Sequence, residues 1–136
     1  MKLDHVGIAV RDIERAAALY KEAFGLEVTH REDVPAQHVR VAFLGDPEDP
    51  DGAAQVELLE PMGDEGAVAR FLASRGPGMH HLAFRAGDVA AEMDRLRRTG
   101  HPPIEDKPRP GSRGHSVCFV HPRHAGGALI ELVGER

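Results

Sequence analysis

The chain has 136 residues, 41% of them hydrophobic and 29% charged, which fits one compact domain or two small repeats sharing a core. Its 17 Lys and Arg against 22 Asp and Glu leave a net charge of −5, which argues against broad nucleic-acid binding. No apolar run approaches the roughly 20 residues of a membrane span, and the single cysteine, Cys118, rules out an internal disulfide framework and suits a reducing cytoplasm.

The first residues already read as a strand, so no signal or transit peptide is expected. Residues 3–10 alternate, with Val6, Ile8 and Val10 on one face and His5, Gly7 and Ala9 on the other. The apolar face should pack on the following helix. His5 then points the opposite way, among small neighbours that leave room for a ligand. Asp12 is the expected N-cap of that helix, with Arg15 rather than a capping-box glutamate at the third helical position. Ile13, Ala16, Ala17, Leu19, Tyr20, Ala23 and Phe24 recur at helical spacing, and Gly25 stands where a left-handed C-terminal residue belongs. Residues 26–31 read as a short strand and 32–36 as a turn containing Pro35. Residues 37–44 form a strand with Val39, Val41 and Phe43 on one face. A loop dense in Asp, Pro and Gly, 45–52, leads to a fourth strand, 53–60. There Val56 and Leu58 face one way, Gln55, Glu57 and Leu59 the other, and Pro61 ends the strand.

A linker, 62–78, separates this module (1–61) from a second (79–136) within a single domain. Ala67, Val68, Phe71 and Leu72 give the linker a short helix. The second module repeats the order. A strand over 79–86 sets Leu82 and Phe84 opposite His81 and Ala83. Asp88 caps a helix with Val89, Met93 and Leu96 inside and Gly100 at its end. A short strand is expected around Ile104, then a Pro/Gly-rich loop over 108–114, then strands over 115–120 and 128–133.

The plan is α+β, βαβββ written twice. Two curved mixed sheets that each bury one face on a helix would leave their other faces to form a cleft. The opening strand Leu3-Asp4-His5-Val6-Gly7-Ile8-Ala9-Val10 recurs as His80-His81-Leu82-Ala83-Phe84-Arg85-Ala86, and each copy closes on a strand carrying one glutamate, Glu57 or Glu131. His5, Glu57, His81 and Glu131 all fall on the face away from the helix. Imidazole and carboxylate together suit zinc and other first-row divalent ions, and two carboxylates balance a divalent charge. His80 shares a strand with His81 but faces the helix side, so it is left out. Lys107, Arg109, Arg113 and Arg123 lie in a stretch without acids, 107–124, placed to meet an anionic substrate.

These stretches resemble the vicinal oxygen chelate superfamily, whose paired βαβββ modules surround a metal. The likeness covers nearly the whole chain. It is strongest to the methylmalonyl-CoA epimerases, in Gln55-Val56-Glu57-Leu58-Leu59-Glu60-Pro61, Gly78-Met79-His80-His81-Leu82-Ala83-Phe84, and Phe119-Val120-His121-Pro122 through Gly127-Ala128-Leu129-Ile130-Glu131-Leu132. The resemblance implies a metal held by His5, Glu57, His81 and Glu131, with cobalt favoured over manganese, nickel or zinc. It implies an acyl-CoA substrate, no nucleic-acid or membrane partner, and a homodimer. Inverting the carbon between a thioester and a carboxylate takes two bases, one per face. The family's last-strand glutamate falls on Glu131. Its third-strand glutamate, present in some members, falls on Val41, so this chain lacks it; either Glu57 takes that role, or Glu57 only binds metal and water or another side chain is the second base. Ser112, Arg113 and Lys107 are the expected substrate contacts. Glyoxalase I has a similar fold, ligand set and proton-transfer chemistry and stands as the alternative. Extradiol dioxygenases use two His and one Glu, and antibiotic-binding relatives lack the ligands.

Overall fold

A computed structural model describes residues 1–50 and 52–135; Asp51, in the expected 45–52 loop, and Arg136 lie outside the described residues. Eight strands and three α-helices run among the described residues in the order β1 (Leu3–Ala9), α1 (Ile13–Phe24), β2 (Glu27–Val34), β3 (Val39–Gly45), β4 (Gln55–Pro61), α2 (Ala67–Arg75), β5 (Gly78–Arg85), α3 (Val89–Arg98), β6 (Arg109–Pro110), β7 (Ser116–Val120) and β8 (Ile130–Gly134). The protein is therefore α+β, as expected. It divides into two compact units, residues 5–80 on the one hand and residues 1–4 with 81–136 on the other.

In the first unit the strands lie in the order β2-β3-β4-β1. β1 runs parallel to β4, and the other neighbours are antiparallel. Helix α1 starts where Asp12 accepts the N–H groups of Glu14 and Arg15, both at 3.1 Å. It stops at Gly25, whose φ of 70° lets its N–H return to the carbonyl of Lys21. Its inner face, Ile13 and Ala17, meets Ile8, Val10, Ala42, Leu44, Val56 and Leu58. That is the face parity assigned to it. The opposite face is not left open throughout. Val68 and Leu72 of α2 join Ala9, Val34, Val39, Val41, Phe43 and Leu59 in a second cluster. Burying each such aliphatic side chain is worth about 1.5–3 kcal/mol, enough to draw the linker helix onto the apolar end of this face.

Strand β2 outruns its expected end. It pairs with β3 up to Val34 opposite Val39, and the chain reverses through a single 3-10 turn, Pro35–Gln37. The register shifts between Val28 and His30. Such a bulge exchanges the two faces of the strand beyond it.

In the second unit the order is β5-β8-β7-β6, with β5 parallel to β8. Asp88 caps α3 through the N–H of Ala91. Val89 and Met93 pack with Ala86, Cys118 and Leu132, and Phe84, Leu96 and Ile130 close the cluster. Ala83, Val117 and Val133, with Phe119, form a smaller cluster on the opposite face. The strand expected around Ile104 is absent. Pro102 and Pro103 lack donors, and backbone contact there is reduced to a Pro103–Val120 bridge and one bond from Ile104 N–H to Phe119 O, 2.7 Å. The Glu105 carboxylate takes the Phe119 N–H at 2.8 Å in place of a neighbouring strand. Ladder pairing appears instead at β6, inside the stretch expected to be loop. Two guanidinium bonds from Arg97, to the carbonyls of Glu105 and Asp106, tie this segment to α3.

Candidate metal centre

Each unit holds one buried histidine–glutamate pair. In the first, His5 Nε2 stands 3.3 Å from Glu57 Oε1; in the second, His81 Nε2 stands 3.6 Å from Glu131 Oε2. All four residues are less than 10% exposed. The same local construction sets both pairs. Glu57 is opposite Gly7 on one side and Phe43 on the other; Glu131 is opposite Ala83 on one side and Phe119 on the other. The small residue leaves space for the carboxylate. The phenylalanine meets the histidine ring at right angles, at 5.3 Å for His5–Phe43 and 6.0 Å for His81–Phe119. Edge-to-face contact of this kind holds a ring in one orientation. Phe43 and Phe119 were not singled out from the sequence, although each occupies the matching position of its module's third strand.

The donors of each pair fit a metal. A buried carboxylate demands a compensating positive charge. Two donor atoms that share one ion at about 2.0–2.2 Å each lie roughly 3–3.5 Å apart, close to the spacing within each pair. Within each pair, one nitrogen and one oxygen donor match the borderline first-row divalent ions.

Val41 is buried in the apolar cluster with Ala9, Phe43 and Leu59, so no carboxylate stands at that point. Because of the shift in β2, His30 lies opposite Phe43 and Glu32 opposite Val41. Their side chains hydrogen-bond to each other at 2.9 Å, and the His30 ring is 6.2 Å from that of Phe43. His80 packs edge-on against Phe71 of α2.

The basic stretch is partly neutralised by acids from outside it. Arg109 pairs with Glu105 at 3.4 Å and lies over the Phe119 ring. Arg113 donates to Asp4, a buried carboxylate that also accepts from Arg85 Nε at 3.1 Å. Lys107 is exposed and Ser112 half-buried. Cys118 is fully buried, and burial, aided by the charges of Glu105 and Glu131, pushes its thiol up to about 12. It is a core residue.

A model of the Glyoxalase/Bleomycin resistance protein/Dioxygenase superfamily matches residues 4–119, and the chain belongs to that family. More narrowly, it is 37% identical to the ethylmalonyl-CoA/methylmalonyl-CoA epimerase of Cereibacter sphaeroides, over 96% of each chain. It is 34% identical to the mitochondrial methylmalonyl-CoA epimerase of Homo sapiens, over 96% of this chain and 72% of that one. Among solved structures, methylmalonyl-CoA epimerase from Mycobacterium tuberculosis superposes with a TM-score of 0.92 at 39% identity, covering 99% of this chain and 88% of that one.

Proposed function

We propose that this protein is a methylmalonyl-CoA epimerase that interconverts the 2R and 2S epimers by removing the C2 proton and returning one to the opposite face. The observation that carries the reading is the matched pair of buried His–Glu contacts, built identically in two modules of a chain that is over a third identical to named epimerases. His5, Glu57, His81 and Glu131 would together hold one divalent ion, cobalt by preference, with manganese, nickel and zinc as the other fits. When bound, the ion supplies a Lewis acid for the thioester and carboxylate oxygens of the substrate.

The rest of the chemistry falls to the chain. Glu131 takes or returns the proton on one face of C2. Glu57 does so on the other, filling the place left by Val41. Burial of both carboxylates keeps bulk water from exchanging the carbon-bound proton outside the reaction. Ser112 and Arg113 would meet the substrate carboxylate, and Lys107, on the exposed part of the same loop, the phosphates of coenzyme A. The enzyme acts as a homodimer in the cytoplasm; a lone, fully buried cysteine agrees with a reducing compartment. No helix among the described residues is long and apolar enough to cross a membrane.

The test is exchange in D₂O. Metal-loaded protein should put deuterium on C2 of methylmalonyl-CoA while racemising that centre, and a chelator should abolish both. A metal-loaded protein that leaves C2 undeuterated overturns the reading.

A further inference from the structure

The two copies of the repeated strand differ at the residue before the metal-ligand histidine, which is Asp4 in one and His80 in the other. Asp4 is buried, and its carboxylate accepts from two guanidinium groups, those of Arg85 and Arg113. Arg113 lies at φ 58° and ψ 24°, a left-handed conformation that L side chains rarely adopt. It sits in the 3-10 turn Ser112–Gly114, between two short backbone bonds, Gly111 N–H to His115 O and His115 N–H to Ser112 O. Gly111 presses the start of the turn on Val117, where an added Cβ would come within 2.6 Å of Cγ1. Val117 clusters with Ala83, Val133 and Phe119, and Phe119 faces the His81 ring. The turn is thus seated on the ligand face of its own unit, and the Arg113 guanidinium ties it to Asp4 like a bracket.

We propose that Asp4 is a positioning residue. Through Arg113 it fastens the 111–114 turn, and so sets Ser112 and the turn's N–H groups for the anionic end of the substrate. This rests on the epimerase reading, and the test separates the two. Asp4→Asn keeps the size and removes the charge. It should raise KM for methylmalonyl-CoA about tenfold while kcat stays within about threefold and metal content is unchanged, the pattern of lost substrate binding. Arg113→Gly suits the backbone angle and removes the guanidinium. It should raise KM by at least as much, since it also removes a substrate contact, and the double variant should be no worse than Arg113→Gly alone, because both substitutions cut the same link. A wild-type KM in either variant, additive losses in the double variant, or a fall in kcat with loss of metal would each overturn the proposal.

A second measurement does not depend on activity. The Arg113–Gly114 bond should be cut by trypsin about tenfold faster in Asp4→Asn than in the parent, since release of the turn exposes it. Unchanged cleavage at that bond overturns the bracket even if epimerisation is confirmed. An inactive parent with faster cleavage in the variant overturns the epimerase reading and leaves the bracket standing.

Discussion

Glu57 is where the choice of a single side chain matters most. Val41 is apolar and buried, so the face that holds His5 carries no carboxylate from the third strand. Glu57 lies 3.3 Å from His5 and has the lone pairs of both a ligand and a base. Glu57→Gln keeps the shape and one carbonyl oxygen, so the protein should retain metal to within about twofold. Epimerisation should fall by about 10²-fold or more, the usual contribution of a positioned base. Metal analysis beside the deuterium-exchange rate checks this, and near wild-type turnover would return the second proton transfer to another group. His30 and Glu32 would then be the first residues to test, being the hydrogen-bonded pair opposite Phe43 and Val41.

At the scale of elements, the 102–114 segment departs furthest from its expected form. Two prolines remove donors, one side-chain carboxylate stands in for a strand, and the ladder resumes only at β6. Close approach then fixes where the following turn lies. Gly111 has an extended φ of −117°, so its requirement is for space and not for backbone freedom. An alanine there would drive its Cβ into Val117. Gly111→Ala should cost about 1–3 kcal/mol of stability and raise KM for the acyl-CoA. Val117→Ala in the same chain should recover most of both. Denaturant melts and steady-state kinetics on the single and double variants measure it, and an unperturbed melt for Gly111→Ala would mean the turn moves away freely.

For the whole molecule, the buried thiol links global stability to alkaline pH. Cys118 titrates near 9.0 when exposed and is held at about 12 in the folded protein, chiefly by desolvation. The folded state therefore keeps a proton that the unfolded chain has released above pH 9. Its contribution is fully present below that point and is lost as pH rises toward 12, with a slope of at most about 1.4 kcal/mol per pH unit. Cys118→Ala should lower stability at neutral pH, through the cavity it leaves in the cluster around Met93 and Leu132. Between pH 9 and 11 its unfolding free energy should decline less steeply than the parent's. Parallel slopes in that range would show that the thiol titrates without consequence.

Much of this was legible in the residues alone. Period-two alternation assigns His5, Glu57, His81 and Glu131 to faces, and Asp12, Gly25 and Asp88 mark helix ends, because all of these depend on local geometry that a few neighbouring residues determine. The duplicated βαβββ plan follows from the same signals read twice. What only the tertiary structure decided depends on partners distant in sequence. The shift at Val28/His30 turns His30 and Glu32 to the face of Val41, and alternation cannot register a bulge. Phe43 and Phe119 meet the histidines only once strands have paired. Asp4 finds Arg113 across 109 residues of chain, a pairing no local pattern could announce.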